Sequence, residues 1–237
     1  MTCALCRQEV SLVKSHIVPE FLYKPHYDEK HRALLFDKRD APYTVLQKGL
    51  REQVLCEECE ARLQVFEDYF ARYWFKRRPL PTKIVAPEVA LSGIDYTRFK
   101  LFLLSIVWRA SVSDHAPKMS LGPHEERMRS MLVDVNPGPM GLYPIFAGVI
   151  VDEDGQLWDG AMLTPLKIRV KAHWACRMVF GGVAWTVLTS RHQTLPLGGH
   201  FLSESGDLRL PVLPRKDFFV ESGLAEAVHG SLREKPR

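Results

Sequence analysis

Apolar positions return at helical spacing in three stretches of the chain. Cys59, Leu63, Phe66, Phe70 and Tyr73 step by three and four and form one continuous stripe. Glu57, Glu58 and Glu60 lie in the first turn of that helix, where its dipole favours anions. Lys76, Arg77 and Arg78 lie at its end, and Pro79 and Pro81 stop it. Tyr96, Phe99, Leu103, Ile106 and Ala110 repeat the spacing, and Phe102, Leu104 and Val107 fill the other sides. This second helix is therefore expected to be buried nearly all round. A third starts at Pro123, carries Glu125 and Glu126 in its first turn, and turns Met128, Met131, Leu132 and Val135 inward until Pro137 ends it.

After Gly138 the pattern shortens to strands. Residues 143–151 form an apolar run that ends in the turn Asp152-Glu153-Asp154-Gly155. Leu166, Ile168, Val170 and Ala172 alternate with Lys167, Arg169 and Lys171, a half-buried strand with a basic outer face. Two further runs flank Gly181-Gly182, a two-residue hairpin signal. A short amphipathic helix is expected over 223–232. Residues 24–48, rich in charge, His and Tyr, read as a long loop or loose hairpin. The chain is thus expected to be α+β. A small N-terminal module spans 1–78 and a proline-rich linker 79–93. Two or three helices packed on an antiparallel sheet span 94–237.

Composition changes this picture little. Apolar residues make up 46% of the chain and charged residues 25%, which excludes a disordered or collagenous chain. The longest uncharged apolar run, 101–108, falls far short of the roughly 20 residues of a membrane helix. No basic-then-apolar leader precedes Cys3, so the expected location is the cytoplasm and no membrane partner is expected. A net charge of +4 permits a polyanion without demanding one.

The cysteines carry more. Cys3-Ala4-Leu5-Cys6 and Cys56-Glu57-Glu58-Cys59 are two C-x-x-C knuckles, and Cys176 stands apart. Such pairs supply four thiolates at the bite of a tetrahedral Zn²⁺, whose Zn–S bonds are about 2.3 Å. A structural zinc on Cys3, Cys6, Cys56 and Cys59 follows, with residues 7–55 as a folded insert between the pairs.

The first knuckle is followed by Lys14-Ser15-His16-Ile17-Val18-Pro19, and the second begins as Val54-Leu55-Cys56 and opens a helix. Here the sequence resembles the zinc-containing HNH, or ββα-metal, endonucleases, a treble-clef-like module. The resemblance covers 3–20 and 50–70. It implies that the zinc only staples the module, and that His16 is the general base taking a proton from the attacking water. It also implies a catalytic Mg²⁺ or Mn²⁺ held by the residues at positions 15 and 60. Ser15 stands where the family keeps Asp or His, and Glu60 where it keeps His. A carboxylate is a natural ligand for such ions, whereas a neutral hydroxyl is a poor one. Arg51 or Gln53 lies nearest the place of the family's Asn, and His26 or His31 is available as a replacement ligand. Glu67 is about 10 Å along the helix from Glu60, too far to share one ion.

The stretches Trp108-Arg109-Ala110-Ser111 and 121–127 look like those of uncharacterised bacterial proteins with a similar finger, often belonging to phage-defence systems. The expected function is a metal-dependent endonuclease acting on nucleic acid, DNA rather than RNA, with His16 and Glu60 as catalytic residues. Two alternatives stand beside it: a finger that binds nucleic acid without cutting it, and a zinc-stabilised interaction subunit with a protein partner in a defence complex.

Overall fold

A computed structural model describes residues 1–27, 29, 32–37, 41–47, 49–114, 119–160, 162–189 and 199–222, with the backbone alone for 32–37, 41–47 and 219–222. The helix expected over 223–232 and His31 lie outside the described residues.

The N-terminal part is built on two antiparallel strands, β1 (Val13–His16) and β4 (Arg51–Leu55), paired Val13 to Leu55, Ser15 to Glu52 and His16 to Arg51. Between them run the short helix α1 (Glu20–Tyr23), a 3₁₀ turn (Lys24–His26) and a hairpin of β2 (Arg32–Asp37) with β3 (Ala41–Gln47). Helix α2 (Glu57–Ala71) leaves β4 directly, with Cys56 as its N-cap. The expected stripe is its buried face: Cys59, Leu63, Phe66 and Phe70 are all inside. A widened π turn (Arg72–Lys76) continues it and buries Tyr73 and Trp74 before the prolines.

Strand β5 (Glu88–Leu91) leads into α3 (Tyr96–Val112), capped by the Asp95 side chain, which accepts from the Arg98 N–H at 2.9 Å. From Phe99 to Ala110 every residue of α3 is buried, including Lys100, Ser105 and Arg109. Helix α4 (Pro123–Val133) buries Met128, Met131 and Leu132. Val135 departs from the expected inner face. The helix has already ended, and Val135 is 46% exposed at a φ of 51°.

The sheet comprises β6 (Ile145–Val151), β7 (Leu163–Val170), β8 (His173–Phe180), β9 (Val183–Leu188) and β10 (Leu208–Pro214), with β5 at one edge. Its order is β5-β10-β6-β9-β8-β7. All neighbours are antiparallel except β10 and β6, which run parallel. That pair is a departure from a simple meander: β10 returns from a distant loop and enters between β5 and β6. The β8–β9 turn is Gly181-Gly182, with φ of 60° and 76°. Both angles suit the tight hairpin turn that needs left-handed backbone. A side chain at Gly181 would also strike the Trp74 indole, whose Nε1 donates to the Gly181 carbonyl at 3.0 Å. Helix α5 (Arg215–Ser222) follows β10.

Rings from α2, α3 and the sheet meet at Phe70. Its centroid lies 4.1 Å from Phe102, 5.2 Å from Phe99, 5.6 Å from Phe180 and 6.0 Å from Trp185. The molecule is an α+β protein whose apolar core runs without a break from the first knuckle to β10.

Candidate metal centre and the residues around it

The four sulfurs of Cys3, Cys6, Cys56 and Cys59 all lie within 4.8 Å of one another. The Cys6 and Cys56 sulfurs are 3.9 Å apart, close to the roughly 3.8 Å edge of a tetrahedron with 2.3 Å metal–sulfur bonds. All four are free thiols. The knuckle is shaped by its backbone: the Arg7 N–H donates to the Cys3 carbonyl at 2.9 Å, with Arg7 itself in the left-handed region at φ 64°. The Ala4 N–H bonds the Val54 carbonyl at 2.9 Å, which ties this turn to β4 just before the second pair.

Electrostatics favour a cation there. Burial raises the Cys3 thiol, but N–H groups of Cys6, Cys56 and Leu5 outweigh it and bring its pKa down to about 7. The Cys56 N–H lies 3.4 Å from the Cys3 sulfur. Cys59 is pushed up by burial and by the neighbouring Cys56, Cys3 and Cys6 sulfurs. Four sulfurs this close cannot all be thiolates beside one another unless a positive ion shares them. The cluster can hold a metal ion such as zinc.

The remaining candidates do not form a second cluster of this kind. Among the described residues, the four cysteines are the one group of three or more His, Cys, Asp or Glu side chains that converges closely enough to hold an ion. His16 ends β1, a fifth exposed, and its Nε2 accepts from the Arg51 Nε at 2.8 Å. Glu20 completes this small surface group, 4.0 Å from His16 Nε2 and 3.6 Å from the Arg51 guanidinium. Ser15, beside His16, is fully buried, and its Oγ has no hydrogen-bond partner. Glu60, in the first turn of α2, also has a buried Oε2 with no partner. Gln53 is turned away, donating to the Leu12 carbonyl at 3.4 Å. His26 sits in the 3₁₀ turn, where burial lowers its pKa against the opposing charge of Asp159. Its charged neighbour is thus on the loop after β6 and not at the cysteines.

Glu67 is not a second ligand beside Glu60. It takes the Arg109 guanidinium at 2.7 Å, and Arg109 also donates to the backbone carbonyl of His16 at 2.8 Å. Arg109 is fully buried, so this ion pair joins α2, α3 and the end of β1 inside the protein. Burial raises the Glu67 carboxyl, opposed by Arg109 and reinforced by the charges of Glu60 and Asp68. The role of Arg109 was not assigned from the sequence, although a signal was there. An arginine in the middle of a helix apolar on every side must find a buried partner.

Comparison with protein-family models, with curated proteins and with solved structures finds no match to this chain. Among the described residues no helix is long and apolar enough to cross a membrane.

Proposed function

We propose that β1, β4 and the tip of α2 form a metal-dependent nuclease centre of the HNH type, which hydrolyses phosphodiester bonds of nucleic acid, DNA in preference to RNA. The observation that carries this reading is the pair of orphaned oxygens. Ser15 Oγ and Glu60 Oε2 are the two atoms that the family resemblance assigns to a catalytic cation, and both are buried without a partner. Tyr23 Oη and Trp108 Nε1 are buried without a partner too, but Ser15 and Glu60 are the two at the end of β1 and the first turn of α2, where an ion or water would satisfy them. A carboxylate and a hydroxyl are oxygen donors, which suit Mg²⁺ or Mn²⁺. Such an ion, when bound, would neutralise charge on the scissile phosphate and leaving oxygen.

The chain's own residues supply the rest. His16 Nε2 is the acceptor in its bond from Arg51, so that nitrogen carries the lone pair a general base needs. An arriving phosphate competes for Arg51, because a guanidinium bonds a phosphate more strongly than a neutral imidazole. Arg51 would swing to the substrate and leave Nε2 open to a water. The Arg109 bond to the His16 carbonyl holds the backbone of the base in place meanwhile. The four-cysteine ion staples the knuckle to β4 and α2 and takes no part in bond breaking.

One observation favours a second reading. With Arg51 on Nε2, and with a buried neutral hydroxyl at position 15 in place of a strong cation ligand, the surface around His16 can hold nucleic acid without cutting it. Plasmid nicking in Mg²⁺ or Mn²⁺ decides between them. His16→Ala is expected to abolish nicking while zinc content stays unchanged. Nicking that survives in that variant overturns the mechanism. A wild-type protein that binds DNA with steep salt dependence and cuts under no divalent ion establishes the second reading.

A further inference from the structure

The expected basic strand face has an aromatic ring at its centre. Trp174 on β8 pairs with Arg169 on β7, and β7 is the outer strand of the sheet. Side chains of Lys167, Arg169 and Trp174 share one face. The Arg169 guanidinium lies 4.2 Å from the Trp174 ring centroid and the Lys167 ammonium 4.8 Å. Trp174 is 41% exposed, the one aromatic side chain among the large apolar residues exposed in the described part of the chain. Lys171, in the β7–β8 turn, adds a third exposed cation. Among the described residues none of the three cations makes an ion pair; Lys167 donates only to the Ser120 carbonyl, at 3.0 Å.

Charged side chains on an edge strand commonly serve to block pairing with another chain, but that role has no need of an exposed indole, and surface charges of one sign are usually interspersed with the other. Here two cations without ion-pair partners among the described residues lie against a flat π surface, and a third is exposed in the adjoining turn. That combination matches a ligand with its own planar faces and regularly spaced negative charges. We propose that the β7–β8 edge binds single-stranded nucleic acid, with an unstacked base on the Trp174 indole and the flanking phosphates on Lys167, Arg169 and Lys171. A duplex does not fit, because its bases already stack on one another and present no free face. The proposal does not depend on cleavage at the His16 centre.

The test is anisotropy of labelled 12-nucleotide dT and rU strands on the zinc-loaded 237-residue chain without added divalent ion. Trp174→Ala should weaken binding about 5- to 160-fold, the range for loss of one stacked base, while Trp174→Phe retains most of the affinity. Arg169→Gln should lower the slope of log affinity against log salt by about 0.7 unit, the share of one phosphate contact on a single strand. Wild-type protein that binds neither strand overturns the proposal. So does unchanged affinity in Trp174→Ala, or a 12-bp duplex or heparin competing as well as the single strand, which would leave only generic charge attraction.

Discussion

The two ends of α2 are held by different physics. At its N-terminus, Cys56 and Cys59 face Cys3 and Cys6, and the surroundings are a short knuckle, a two-stranded ladder and backbone hydrogen bonds. About 16 Å further along the same helix, Phe70 is enclosed by Phe99, Phe102, Phe180 and Trp185. The first end also buries apolar residues such as Leu5, Ile17 and Leu55, but it adds four sulfurs that repel one another once ionised and that a shared cation would hold together. The second draws its order from ring packing and needs nothing from outside. One helix thereby joins a corner that can hold a metal ion to a core of packed rings. The buried Arg109–Glu67 pair stands between them and takes the His16 carbonyl as well.

The sharpest way to break this contrast is at the sulfurs. Cys59→Ser should drop bound zinc from about one equivalent per chain to near zero and unfold the knuckle with β1 and β4. In small zinc modules the ion is worth roughly 10–16 kcal/mol of folding free energy. Near-UV signals from the aromatic core should survive, and their loss in step with zinc would show that the two ends are one cooperative unit. Phe70→Ala is expected to cost about 3–5 kcal/mol in chemical denaturation, through lost contacts and the cavity left behind. Zinc content should not change. A metal stoichiometry that fell with this variant would erase the distinction between the ends.

The smallest expected effect sharpens the picture of the core. Lys100 is buried within α3, with its ammonium donating to the Tyr96 hydroxyl and the Pro139 carbonyl, both at 2.9 Å. Burial lowers its pKa to about 8, partly offset by Glu204. In the unfolded chain a lysine titrates near 10.4. Between these values the unfolded state holds the proton that the folded state has released, so stability rises with pH. Wild type should therefore gain on the order of 1–2 kcal/mol from pH 8 to 10, a gain absent in Lys100→Met. Parallel pH profiles for the two proteins would mean that Lys100 titrates normally.

Much of the architecture was legible because local pattern and tertiary burial agree. The stripe from Cys59 to Tyr73 is the inner face of α2 and its widened continuation. The all-round apolar run is α3, and Gly181-Gly182 is a hairpin turn. Val135 was misread because a helical spacing carries no mark of where the last turn unwinds. The parallel entry of β10 was equally hidden, since a strand's neighbours are chosen by distant segments that fit its edges. At the candidate site, the spacing of the cysteines in two pairs was enough to foresee four converging sulfurs, because a C-x-x-C turn leaves little freedom in where its thiols point.

The sequence alone therefore determined which residues would be inside, which sulfurs would meet and where the chain would turn, since these depend on spacings of a few residues. Only the tertiary structure decided that Arg109 reaches the backbone of His16, that Arg51 occupies its ring, and that Ser15 and Glu60 keep orphaned oxygens. It also placed Trp174 against two cations, Lys167 and Arg169, that have no ion-pair partner among the described residues. Each of these is a meeting of side chains from elements far apart in the chain. Such meetings are set by how helices and sheet pack, and the periodicity of any one segment does not encode them.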